Sequence, residues 1–183
     1  MKKIFLSLSV ILLTGMAFAN KVDRESKKEA KKEKRETREH RKAISEGLVS
    51  YRTEEQFPFD FPGATDVIFQ RTQNFDEAEF TFGEQRMRAY YDINSELIGT
   101  TNLASFSDLP VSGQDEIMKY YKDYQIKEVV FFHDNQFNDS DIILYGTSFE
   151  DADNWFVELQ KDQKKIIVKV SPSGIVSYYT QFK

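Results

Sequence analysis

Three consecutive stretches decide the fold class: Phe75-Asp76-Glu77-Ala78-Glu79-Phe80-Thr81-Phe82, then Gln85-Arg86-Met87-Arg88-Ala89-Tyr90-Tyr91-Asp92, then Glu96-Leu97-Ile98-Gly99-Thr100-Thr101 beyond the turn Ile93-Asn94-Ser95. In the first, Ala78, Phe80 and Phe82 alternate with Glu79 and Thr81; in the second, Met87, Ala89 and Tyr91 alternate with Arg86, Arg88 and Tyr90. A period of two sends one set of side chains inward and the other outward, as in antiparallel strands with one buried face. Residues 64–70, β-branched and aromatic, read as a strand ahead of them.

The same order recurs downstream. Ser107-Asp108-Leu109-Pro110 closes the first unit, Ser112 with Asp115 three residues on has the form of a capping box, and Ile117, Tyr120, Tyr121 and Tyr124 follow at helical spacing. Strands are expected at 126–133, 154–160, 164–170 and 175–181, the last two joined by the turn Ser171-Pro172-Ser173-Gly174. The expected fold is therefore α+β: a tandem repeat of helix plus four antiparallel strands, about 53–106 and 107–183, forming one curved antiparallel sheet with the helices on one face and the other face open to solvent. The first helix is the weak element, because Pro58 and Pro62 interrupt residues 53–61.

Upstream the chain changes character. Met1, Lys2 and Lys3 precede an apolar run at residues 4–16, and Ala17-Phe18-Ala19 has the small-x-small form of a signal-peptidase site. The run is shorter than the roughly 20 residues of a bilayer crossing, so 1–19 reads as a secretory signal peptide, with a periplasmic or secreted product and no later membrane span. Residues 21–42 carry eleven basic and six acidic side chains, a net of +5, with Val22 and Ala30 as their only aliphatic residues. Setting these and the two leader lysines aside leaves 12 basic and 24 acidic side chains over 43–183, a net of −12. The overall charge of −5 hides this division into a basic arm and an acidic domain. The arm, 20–46, is expected to be a linker or solvated helix supported by pairs such as Glu25 with Lys28 and Glu29 with Lys32. Its charge suits peripheral contact with a membrane through 21–42, or an acidic partner. A nucleic-acid partner is not expected, because the acidic domain would repel phosphate.

The absence of cysteine in a chain of 183 residues excludes disulfides, a thiolate zinc site and a cysteine nucleophile. Two histidines, His40 and His133, are too few for a three-histidine site. His133 beside Asp134 is suggestive of a base with its orienting partner, but no Gly-x-Ser-x-Gly accompanies it. Residues 134–153 are an insertion with no counterpart in the first unit, holding Asp134, Asp139, Asp141, Glu150, Asp151 and Asp153 among Phe137, Phe149 and residues 142–145. It reads as a solvated hairpin with an extra edge strand at 141–145, a protein-contact loop, or a set of hard oxygen ligands for Ca²⁺ that lacks EF-hand spacing. Trp155 with Tyr90, Tyr178 and Tyr179 could line the open sheet face, or could pack under a helix.

Phe61-Pro62-Gly63-Ala64-Thr65-Asp66-Val67, Ala78-Glu79-Phe80, Ala89-Tyr90-Tyr91-Asp92 with Glu96-Leu97-Ile98-Gly99-Thr100, and Asp108-Leu109-Pro110 before the tyrosine-rich helix together resemble the exported PepSY-like proteins of Bacteroidetes, grouped by fold with β-lactamase-inhibitor proteins. The resemblance runs from about Phe57 to the C-terminus and lies in turn and strand positions. It implies a tandem α/β unit with a concave antiparallel sheet and supplies no catalytic residues that could be carried over; no cofactor is expected. The inhibitor relatives act through loops inserted into a target enzyme, and no matching loop motif is present here. Asp92-Ile93-Asn94-Ser95 departs from the family's Asp-x-Asp-Gly turn, where Asn94 is expected to take the left-handed conformation. The function expected is an exported, non-enzymatic protein-binding or inhibitor-like module, with Phe137, Phe149, Tyr145, Tyr90 and Trp155 as candidate contact residues. The alternative is a structural or envelope-stress protein tethered by its basic arm.

Overall fold

The structure is a computed structural model that describes residues 27–32, 34–35, 38, 47–150 and 152–182. Residues 27–32, 34–35 and 38 are helical and exposed. The signal peptide expected at 1–19 lies outside the described residues.

From residue 47 onward the order is α1 (Tyr51–Asp60), β1 (Thr65–Arg71), β2 (Asp76–Phe82), β3 (Gln85–Tyr91), β4 (Leu97–Leu103), a 3-10 turn (Phe106–Asp108), α2 (Val111–Tyr120), β5 (Gln125–Asp134), β6 (Ile142–Leu144), β7 (Thr147–Phe149), β8 (Asn154–Lys161), β9 (Lys164–Val170) and β10 (Val176–Gln181). Eight strands form one antiparallel sheet in the order β1-β2-β3-β4-β5-β8-β9-β10, and β6 with β7 make a separate two-stranded sheet.

Register assigns the faces. Ala78 pairs with Ala89, Ala89 with Thr100 and Thr100 with His133, so these side chains share one face, together with Val129 and its partner Val157. Both helices pack there. Phe57 of α1 meets Phe80 edge-on at 4.9 Å and clusters with Ala78, Ala89 and Tyr91. Ile117 of α2 is buried with Val129, Val157, Leu159, Ile166, Val168 and Val170. Each such aliphatic or aromatic burial stabilises the fold by roughly 1.5–3 kcal/mol.

The first helix is fuller than its prolines suggest. It begins at the N-cap Ser50, whose hydroxyl accepts from the Arg52 amide, and includes Pro58, an interior position that lacks an amide to donate. Helix α2 begins after Pro110 with no side-chain cap, so Ser112 and Asp115 do not form the expected box. That arrangement sits one turn earlier, where the Asp108 carboxylate accepts the Ser105 amide at 2.7 Å. In the β3–β4 turn Ser95, not Asn94, has the positive φ, at 64°, and Asp92 Oδ1 accepts the amides of Asn94 at 2.8 Å and Glu96 at 2.9 Å. Ser95 takes that strain because its hydroxyl is buried in a network with Thr53 and Ser50.

Candidate functional site

The face opposite the helices is only partly open. Tyr145 and Gly146 both have positive φ, 52° and 77°, the backbone of a two-residue primed turn, and they fold β6 back on β7. Ile142, Leu144 and Phe149 of this hairpin bury themselves against Phe132 of β5, Phe156 of β8 and Ile167 of β9. The Tyr179 hydroxyl on β10 closes the arrangement, donating to the Leu144 carbonyl at 3.1 Å with the Thr147 carbonyl also against it. Residues 142–149 are therefore a second layer over the β5-β8-β9-β10 half, where an extra edge strand at 141–145 was expected. The reason is composition: Ile142, Leu144 and Phe149 alternate inward and would lose their burial on a solvated edge.

This placement re-sorts the candidate contact residues. Phe149 is 6% exposed and meets Phe132, Phe156 and Tyr179 edge-on, so it belongs to the core and not to a contact loop. Phe137, 98% exposed, is the one that reaches solvent at a loop tip. Trp155 lies on the helix-side face, its register with Phe131 and Val170 and its 4.7 Å ring contact with Phe131 removing it from the opposite face. Tyr178 shares that side through its pairing with Val168. Tyr90 and Tyr145 do face the hairpin side.

Tyr90 of β3 and Ile98 of β4 are buried with the hairpin, but around Arg86, Arg88 and Leu103 that side is exposed, and a cleft of about 350 Å³ lies there against the hairpin turn. Tyr90 and Tyr145 line it with Glu79, Arg86, Arg88, Leu103 and Glu128. Period two puts Arg86, Arg88 and Tyr90 on this surface, and the register sets them across from Thr81, Glu79 and Glu77. Glu79 accepts from Arg86 Nε at 2.9 Å and from Arg88 Nη2 at 3.2 Å, and these donors hold its carboxyl below the usual range. Burial pushes the neighbouring Glu77 up, while Arg88 at 3.7 Å opposes the shift. The Tyr90 hydroxyl is 3.1 Å from Thr101 Oγ1, and burial raises its pKa. Burial, then the charge of Glu128, raises Tyr145 as well. Exposed Leu103 and, further along the same side on β1, exposed Ile68 add apolar area. The arrangement offers guanidinium donors and aromatic and aliphatic contacts to a partner.

His133 does have a carboxylate at Nδ1, but it is Asp153 at 3.1 Å, on an exposed strand end. The adjacent Asp134 projects from the opposite side of β5. Asp153 Oδ1 also accepts the Asp134 amide at 2.8 Å, which ties the two ends of the insertion together. Asn135 and Asn138 donate to the carbonyls of Leu97 and Glu96, pinning the loop to the start of β4. Among the described residues no three His, Cys, Asp or Glu side chains are grouped to hold a metal, and no helix is long and apolar enough to cross a membrane.

One buried polar site had no signal in strand periodicity. Asp76, fully buried, accepts Arg71 Nη1 at 2.6 Å, the Ser50 amide at 3.0 Å and Thr53 Oγ1 at 2.9 Å. Its charge is matched by Arg71 and its second oxygen by the start of α1, so it fastens the helix to the sheet.

An eight-stranded antiparallel sheet with two helices on one face is the α+β architecture of BLIP-like proteins. Among solved structures the chain resembles a BLIP-like protein from Bacteroides fragilis, with 15% identity, a TM-score of 0.57, and coverage of 75% of this chain and 90% of that one. It also resembles a presumed periplasmic protein from Bacteroides eggerthii, with 12% identity, a TM-score of 0.60, and coverage of 74% and 90%. A DUF2874 family protein from Bacteroides uniformis has 11% identity, a TM-score of 0.60, and coverage of 73% and 90%. At these identities the likeness is one of fold. Comparison of the sequence with protein-family models and with curated proteins finds no match.

Proposed function

We propose that this chain is an exported binding module for a protein partner, and that the partner seats on the uncovered sheet face beside the β6–β7 hairpin. The observation that carries the reading is the cleft between β3, β4 and the hairpin turn, where Arg86, Arg88, Leu103 and Tyr145 converge beside exposed Ile68. Arginine and tyrosine flanked by apolar area are the side chains that anchor interfaces. The leader-like residues 1–19 and the presumed periplasmic neighbour support export, and the BLIP-like neighbour supports the fold. The matching helix-plus-four-strand order of the two halves supports an internal duplication, with the hairpin as the second half's addition. No catalytic role is assigned to His133.

Leu103→Asp and Arg86→Gln change exposed side chains of the cleft and leave both the core and the Arg88 contacts with Glu77 and Glu79 intact. Envelope extract passed over the immobilised chain should yield a protein that both variants fail to retain at unchanged melting temperature. Undiminished capture by both variants would move the site off this face, with Phe137 as the next position to change.

A further inference from the structure

We propose that the free edge of β10 is a second binding site, where an extended, basic segment of another protein adds as a further strand to the main sheet. β10 is the last strand in the sheet order, so one of its sides has no neighbour there. The Ser171 amide donates to the Ile175 carbonyl at 3.1 Å, and in an antiparallel ladder hydrogen-bonded pairs alternate with non-bonded ones. Ser177 opposite Lys169 is thus bonded to β9, while Val176 opposite Val170 and Tyr178 opposite Val168 aim their amides and carbonyls away from it. Edge strands are ordinarily blunted by charge, proline or a bulge. β1, at the other edge, has Asp66 and Arg71 and a bulge that follows directly on Thr65. β10 carries neither a charge nor a proline from Val176 to Gln181, and its register shift comes only after Tyr178.

The surroundings of this edge determine what the added strand must carry. On the hairpin side a groove of about 500 Å³ lies along Ser177, lined by Asp141, Ser148, Glu150 and Lys169. Lys169 meets Glu150 at 3.1 Å, whereas Asp141 is exposed and forms no ion pair among the described residues. Two carboxylates against one ammonium leave the groove negative, within a domain whose charge over 43–183 sums to −12. On the helix side Tyr178, 58% exposed, offers an apolar contact. Alternate side chains of a strand laid against Val176 and Tyr178 fall to these two sides in turn, so the matching sequence alternates lysine or arginine with apolar residues. A second copy of the chain fits poorly, because pairing β10 with β10 brings two negative grooves and two acidic domains together. The chain's own basic arm fits no better, since residues 27–32 are helical and Ala30 is the one apolar side chain among them.

The probe is a short blocked peptide of alternating lysine and valine, titrated into the chain as purified from cells, with amide hydrogen exchange as the readout. Binding should slow exchange at Val176 and Tyr178, the amides that gain acceptors, and leave Phe69 and Arg71 of β1 unchanged. N-methylation of every valine amide in one peptide, and of every lysine amide in another, keeps the charge and removes the donors of one edge. At least one of the two should bind about tenfold more weakly. A glutamate–valine peptide should not bind, and Asp141→Asn should weaken the lysine peptide by about twofold to fivefold. Leu103→Asp should bind it as the parent does, which keeps this result separate from that for the cleft. Equal affinity for the glutamate peptide would deny the basic partner, and affinity that survives both methylations would reduce the attraction to bulk charge; either overturns the proposal. Protection around Arg88 or at the β1 edge in place of Val176 and Tyr178 would overturn it as well, and so would protection of these two amides through self-association of the chain without peptide.

Discussion

The ring of Phe149 meets that of Phe132 edge-on, centroids 5.1 Å apart and planes at 90°, and this contact joins the insertion to the middle of the main sheet. Phe149→Ala should therefore destabilise the protein by about 3–5 kcal/mol, the usual cost of emptying a buried aromatic site. Phe137→Ala, at an exposed loop tip, should stay within about 0.5 kcal/mol of the parent. Urea unfolding of the two variants separates the cases, and equal midpoints would refute the hairpin's place in the core.

Asp76→Ala leaves the Arg71 guanidinium buried without its carboxylate, together with the Ser50 amide and Thr53 hydroxyl that Asp76 serves. Breaking one side of a buried pair costs about 3–5 kcal/mol, whereas replacing both partners by apolar residues costs much less. A double-mutant cycle with Arg71→Met and Asp76→Leu should show the double variant more stable than the sum of the single losses. Simple additivity would deny the coupling.

Gly99→Ala should destabilise without any change of backbone conformation. A Cβ there would stand 2.5 Å from Phe132 Cζ and 2.6 Å from the carbonyl oxygen of His133 on the adjacent strand. The ring can shift but the carbonyl belongs to the β4–β5 ladder, so overpacking of about 1–3 kcal/mol is expected and Phe132→Leu should not restore it. A thermal melt equal to the parent's would show that the two strands are further apart than this register requires.

Alkaline pH should loosen the hairpin. Burial pushes Tyr179 up to about 12 from an ordinary 10.0, and Tyr145 is raised in the same direction. Folded tyrosines thus hold protons that unfolded ones have released, so stability is intact below about pH 10 and falls as pH rises toward 12. Tyr179→Phe should flatten that decline while lowering stability at neutral pH, because the Leu144 and Thr147 carbonyls lose their donor. Melting temperatures across the alkaline range, read beside the tyrosinate absorbance, decide it.

Alternation in residues 75–101 was enough to define antiparallel strands, because period two assigns side chains to faces with no knowledge of the partner strand. Spacing of Ile117 and Tyr121 likewise marked α2, and the charge sum over 21–42 marked the arm. Alternation leaves undecided which face of a sheet gains a further layer. Residues 134–153 are rich in carboxylates and have turn-forming residues, so they read as a solvated loop, yet Ile142, Leu144 and Phe149 needed a surface to bury and found one on Phe132, Phe156 and Ile167. That choice depends on contacts between residues far apart in the chain, as do the Arg71–Asp76 anchor to Ser50 and the removal of Trp155 to the helix side. The sequence by itself determined the strands, the helix α2 and the separation of basic arm from acidic domain, since these follow from local period and composition. The tertiary structure decided which half of the sheet stays uncovered, and with it the place of the candidate cleft, because only three-dimensional packing brings the hairpin turn beside Arg88 and Leu103.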